Sequence, residues 1–126
     1  MKNSVTYNDS TLTKVVRNFL DKKSTFELDS DEKGNLFNLL MSLLIRLEDD
    51  YKLNCLDINQ VQIEDTAYYT FIFESVLTAD TNPYKGQLVD AAVHFMNEFT
   101  DNDGTFINFI CLDQEYTLFQ FNFSIS

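Results

Sequence analysis

The chain has no tryptophan, one proline, three glycines, one histidine and two cysteines in 126 residues. Each scarcity removes a class of chemistry. One His and two Cys cannot supply the three or four nitrogen and sulfur ligands of an ordinary zinc site. No metal and no cofactor is therefore expected. A Ser-His-Asp or Cys-His arrangement would have to use His94, the sole imidazole, as its base. No G-x-S-x-G surrounds any serine, and helical spacing turns His94 away from the apolar stripe of its segment. Catalytic residues are therefore expected to be none. The glycines build neither G-x-G-x-x-G nor a P-loop, so nothing cradles phosphate. Paired carboxylates of the glycosidase kind need a cleft, for which so small a domain leaves little room.

Other absences bear on location. No apolar run reaches about 18 residues, so no transmembrane helix is expected. The opening MKNSVTYNDS has no apolar stretch, so no secretory signal is expected either. A cytoplasmic protein follows, in which Cys55 and Cys111 would be reduced, buried thiols. A disulfide between them stays open if their strands are neighbours.

Positive charge is also scarce. Twenty acids face nine Lys and Arg, a formal net charge of −11. The imbalance is local. Residues 1–52 hold nine acids and eight bases, a sum of −1; residues 53–126 hold eleven acids and one base, Lys85, a sum of −10. Such a field repels nucleic acid and anionic lipid, and it attracts basic partners. Acidity also serves solubility alone; the skew between the halves is what favours binding.

What is present is a core. With 44% hydrophobic and 14% aromatic residues, the chain is too apolar for disorder. Its length suits one α+β domain spanning 1–126. In 10–22, Leu12, Val15, Val16, Phe19 and Leu20 recur at helical spacing behind Asp9 or Ser10 as cap. Residues 24–29 read as an edge strand or extended loop. Residues 31–50 form the most apolar helix, capped by Asp29 or Ser30. Its polar stripe (Asn38, Ser42, Arg46) is narrow enough to expect burial on several sides or a dimer seam.

From 53 the period becomes two. Two strands flank a turn at Glu64–Asp65–Thr66, with Tyr69, Phe71 and Phe73 on one face. Residues 78–82 form a loop, Pro83 opens a helix, and 87–99 are amphipathic. A second hairpin closes the chain, with Phe119, Phe121, Phe123 and Ile125 on one face. The expected order is α-α-β-β-α-β-β: a mostly antiparallel four- to five-stranded sheet with helices on one face. Asp101-Asn102-Asp103-Gly104 hints at a calcium loop. With Gly104 at loop position 6, however, Phe99 and Ile110 occupy positions 1 and 12, where carboxylates are needed. It reads as a turn, with Gly104 free to take positive φ.

The remaining candidate is a surface. Glu64, Asp65, Asp80, Asp101, Asp103, Asp113 and Glu115 fall at expected turns, and Tyr68, Tyr84 and Tyr116 lie near them. Asp57, Glu74, Asp90 and Glu98 lie beside the turns. Tyrosine combines contact area with a polar tip and is enriched at interfaces. This set suggests a non-enzymatic cytosolic inhibitor, an immunity protein covering a basic toxin that acts on nucleic acid. A phage-type nucleic-acid mimic, as in anti-restriction or anti-CRISPR inhibition, is the second expectation. A small α+β enzyme or ligand-binding domain is the third. The partner is expected to be a basic protein rather than nucleic acid or membrane, and the chain a monomer or weak homodimer.

Overall fold

The computed structural model describes residues 11–21, 29–75, 85–114 and 117–126, and only the backbone of 85 and 86. The edge-strand segment before Asp29, the loop at 78–82 and the caps Asp9 and Ser10 lie outside them. Helix α1 (Leu12–Leu20) buries Leu12, Thr13, Val16, Phe19 and Leu20. Its cap residue is Thr11, whose side chain makes no capping bond.

Helix α2 (Ser30–Tyr51) begins at a reciprocal cap. The Glu32 N–H donates to Asp29 Oδ1 at 2.8 Å, and the Asp29 N–H donates to Glu32 Oε1 at 3.0 Å. Two of the amides that a helix start leaves without intrahelical partners are thereby satisfied. Lys52 ends the helix in the left-handed region, φ 57°. Burial on several sides holds only for its later turns. Leu40, Leu43, Leu44 and Leu47 are buried, Leu36, Phe37, Met41 and Ile45 are half-buried, and 30–35 are exposed. The Arg17 guanidinium lies over the Phe37 ring at 5.6 Å and ties α1 to α2.

The sheet comprises β1 (Leu53–Ile63), β2 (Thr66–Ser75), β3 (Gly104–Cys111) and β4 (Leu118–Ile125), with α3 (Lys85–Thr100) between β2 and β3. Its order is β1-β2-β4-β3, all antiparallel. α1 and α2 pack on β1, α3 packs on β3 and β4, and α2 bridges α1 and α3. All three described helices cover one face.

Register explains the core. The rows Ile58–Phe71–Phe121–Phe109 and Gln60–Tyr69–Phe123–Phe106 run across four strands toward the helices. Phe95 and Phe99 of α3 enter the rings edge-on, 5.0 and 6.0 Å from Phe71. Offset and edge-to-face rings stabilise such a cluster beyond the area they bury. Cys55 and Cys111 share another row, Cys55–Phe73–Phe119–Cys111. They sit on the two outermost strands, three spacings or roughly 14 Å apart, and both are free. Disulfide geometry needs Cα atoms within about 7 Å. Burial pushes the Cys55 thiol up to about 12, so it is held as a neutral hydrophobe.

Gly104 does not have the expected positive φ. Asp101 and Asn102 take the left-handed region, at φ 56° and 69°, and they reverse the chain between α3 and β3. The requirement at Gly104 is close approach. A Cβ there would stand 2.9 Å from Thr100 Oγ1 and 3.0 Å from Met96 Cγ. The Gly104 N–H meanwhile donates to that Thr100 hydroxyl at 2.9 Å. Thr100 and Met96 are buried and cannot move aside cheaply. Gly104→Ala is expected to cost about 1–3 kcal/mol, as overpacking does. A urea midpoint unchanged from the parent protein would refute that contact.

Candidate partner-binding surface

The pairings Ile63↔Thr66, Ala67↔Ile125 and Gly104↔Ile125 bring the β1–β2 turn and the start of β3 to one end of the sheet. Glu64, Asp65, Asp101 and Asp103 therefore share that end, and all are exposed. The two turns are about two strand spacings apart, roughly 10 Å. Glu64 holds φ 54°, a conformation costly for a residue with a long side chain. Tyr68 is exposed one row further in.

Asp113 lies at the opposite end and serves the β3–β4 turn. Its carboxylate accepts the Thr117 hydroxyl, the Thr117 N–H at 2.8 Å and the Leu118 N–H at 3.1 Å. Asp80, Tyr84, Glu115 and Tyr116 lie outside the described residues. The ten candidates thus do not form one patch. Five share an end of the sheet, and Asp113 is committed to a turn at the other.

The Thr117 hydroxyl bond holds the Asp113 carboxyl below its ordinary range. Partial loss of hydration opposes this, and the Leu118 and Thr117 amides add to it. The ionised form is thus favoured by folding, so its stabilisation is present above the ordinary carboxylate pKa. It is lost as pH falls through the lower folded value. Asp113→Asn is expected to be less stable than the parent at pH 7, with the gap closing below about pH 4. Equal gaps in urea midpoint at pH 7 and pH 3 would show that charge does not hold this turn.

The second sheet face is not covered by any described element. Eight large hydrophobic residues are exposed among the described residues. Six belong to this sheet, Leu56, Val61, Ile63, Tyr68, Ile107 and Ile110, and Leu112 directly follows β3. Between them runs a polar row, Asn59–Thr70–Asn122–Asn108. The Thr70 hydroxyl donates to Asn122 Oδ1 at 2.8 Å, and Asn122 Nδ2 donates to Asn108 Oδ1 at 2.7 Å. Gln120 Nε2 also donates to Asn122 Oδ1, at 3.0 Å. Thr70, Asn108, Gln120 and Asn122 are thus linked side chain to side chain across three strands.

Asp57 and Glu74 add two exposed carboxylates to this face. No described strand carries a Lys or Arg. The cations with described side chains are Lys14, Arg17, Lys33, Arg46 and Lys52, on α1, α2 and its cap. Those helices cover the other face, so their charge is not interleaved with the open one. Among the described residues only Arg46 bridges to the acidic half. Its Nη1 donates to both Glu98 oxygens, at 3.1 and 3.2 Å. His94, largely exposed as its spacing predicts, pairs with the same carboxylate one turn away. The groove beside them, lined by Leu43, Leu47, Tyr51 and Phe95, holds about 160 Å³. That is small against the roughly 300–1,000 Å³ of ligand pockets. Among the described residues no group of His, Cys, Asp and Glu could hold a metal ion. No described helix is long and apolar enough to cross a membrane.

The open-face hydrophobics and the amide row escape a search for charged turns. Their signal is a break in alternation. Cys55 to Ile58 and Phe106 to Phe109 are core positions three residues apart instead of two. Each gap holds a bulge, which turns Leu56 with Asp57, and Ile107 with Asn108, to the open face. Comparisons with protein-family models, curated proteins and solved structures give no match.

Proposed function

We propose that this chain is a non-enzymatic inhibitor of the immunity type. It would cover a basic protein, a toxin acting on nucleic acid, with the open sheet face and the acidic end beside it. One observation carries this: six exposed hydrophobics lie on a sheet with acids at its end and on its face, and no Lys or Arg on any described strand. Exposed apolar surface on a soluble domain marks an interaction site. An interface with an apolar middle and a polar rim is the usual anatomy of protein–protein contact. The one-signed rim selects a basic partner and hastens encounter with it. A nucleic-acid mimic would instead set carboxylates in a row at phosphate spacing, where this face has Val, Ile and Asn. An inhibitor of this kind works in the cytoplasm of the cell that makes the toxin.

The test is capture of the partner by the tagged chain from cells that produce it, repeated at rising salt. A basic protein retained at low salt and shed as screening grows is the expected result. Capture that ignores salt, or an acidic partner, would overturn the proposal.

A further inference from the structure

We propose that the outer edge of β3 receives an added strand: an extended, apolar segment of the partner with Lys or Arg where it passes Asp101 and Asp103. The inference rests on the basic-partner proposal above and specifies how that partner is held.

The strand order leaves β1 and β3 as edges, and no described strand pairs with the outer side of β3. An unpaired edge is a row of N–H and C=O groups ready to bond another strand. Soluble proteins guard such rows with charge, proline, bulges or short length. β1 carries Asp57 at its bulge. In contrast, Gly104–Leu112 has no charged residue and no proline, and its one irregularity is the bulge between Phe106 and Asn108. Ile107, Ile110 and Leu112 are exposed along it. Eight residues extend roughly 26 Å, long enough for main-chain bonding to give affinity while alternate side chains give selectivity.

Charge decides between occupants. A second copy pairing antiparallel would bring Asp101 and Asp103 of one chain toward Asp113 of the other, at both ends. No Lys or Arg follows Lys85 to relieve that repulsion. A segment with cations beside Asp101 and Asp103 gains attraction where the copy meets repulsion.

The experiment uses the full chain and synthetic ten-residue peptides of alternating Val and Thr, ended by Lys-Lys or by Glu-Glu. Two further Lys-ended peptides carry N-methyl groups on alternate residues, in one phase or the other, so that each loses one hydrogen-bonding edge. Binding is read by fluorescence anisotropy, and amide hydrogen exchange is followed across Ile107–Cys111.

The Lys-ended peptide is expected to bind at least tenfold tighter than the Glu-ended one. One N-methylated phase should lose binding at least tenfold, and β3 amides should exchange more slowly in the complex. Ile110→Lys, or Thr105→Lys should the first variant not fold, is expected to weaken binding at least tenfold. If both N-methylated peptides bind like the parent peptide and β3 exchange is unchanged, strand addition fails, although salt-sensitive capture of a basic partner would still stand. No binding of the Lys-ended peptide at 1 mM also overturns it. Salt-induced dimerisation in sedimentation, abolished by Ile110→Lys, would assign the edge to a second copy and overturn it likewise.

Discussion

Phe71→Ala is expected to lower the unfolding free energy by about 3–5 kcal/mol, the cost of emptying a fully packed aromatic site. Phe71 has 0% exposure and sits at the centre of the ring cluster. Its ring is 5.0 Å from Phe95, 5.8 Å from Phe123, and 6.0 Å from both Phe99 and Phe121. These neighbours come from β4 and α3, so the hole cannot be closed by shifting one side chain. Loss of edge-to-face contacts adds to the lost burial. Small domains have about 5–15 kcal/mol in all, so the variant should be partly unfolded at modest urea. The midpoint should fall with little change in slope. Phe106, half-buried on β3, should cost clearly less when truncated. A loss under about 1 kcal/mol at Phe71 would contradict the packing of α3 on the sheet.

The same residues show why the fold was legible. The phase of Tyr69, Phe71 and Phe73 and that of Phe119, Phe121 and Phe123 assign each strand a buried face without knowledge of its neighbours. Strand order was not legible, because two hairpins joined through α3 can assemble in several ways and alternation is blind to which edges meet. The site was legible only in part. Asp101 and Asp103 announce a turn, but only register places them at the same end as Glu64 and Asp65. Asp113 resembles them in sequence, yet its carboxylate is occupied by Thr117 and Leu118. Ile107 and Ile110 look like core residues until the bulge at Phe106/Asn108 is counted. Two exposed isoleucines beside the half-buried Phe106 and the buried Phe109 are what a bulged edge strand leaves behind.

Neutralising the acidic end is expected to slow association with the captured partner about 10–100-fold at low salt, while dissociation changes little. Long-range attraction acts on encounter more than on the bound complex. The variant combines Glu64→Gly, Asp65→Asn, Asp101→Asn and Asp103→Asn. These replacements suit the backbone already present. Glu64 and Asp101 hold φ 54° and 56°, where Gly and Asn are easier than the native residues. Folding stability should therefore hold or rise slightly, so slower binding cannot be blamed on unfolding. Near 1 M salt the Debye length is about 3 Å, and parent and variant should associate at nearly the same rate. A second variant with Asp21, Asp31, Asp49 and Asp90, all exposed, changed to Asn has the same net charge but leaves the sheet end intact. It should associate nearly as fast as the parent. If the two variants are slowed equally, total charge governs encounter, and the end of the sheet that unites Glu64, Asp65, Asp101 and Asp103 has no special part in it.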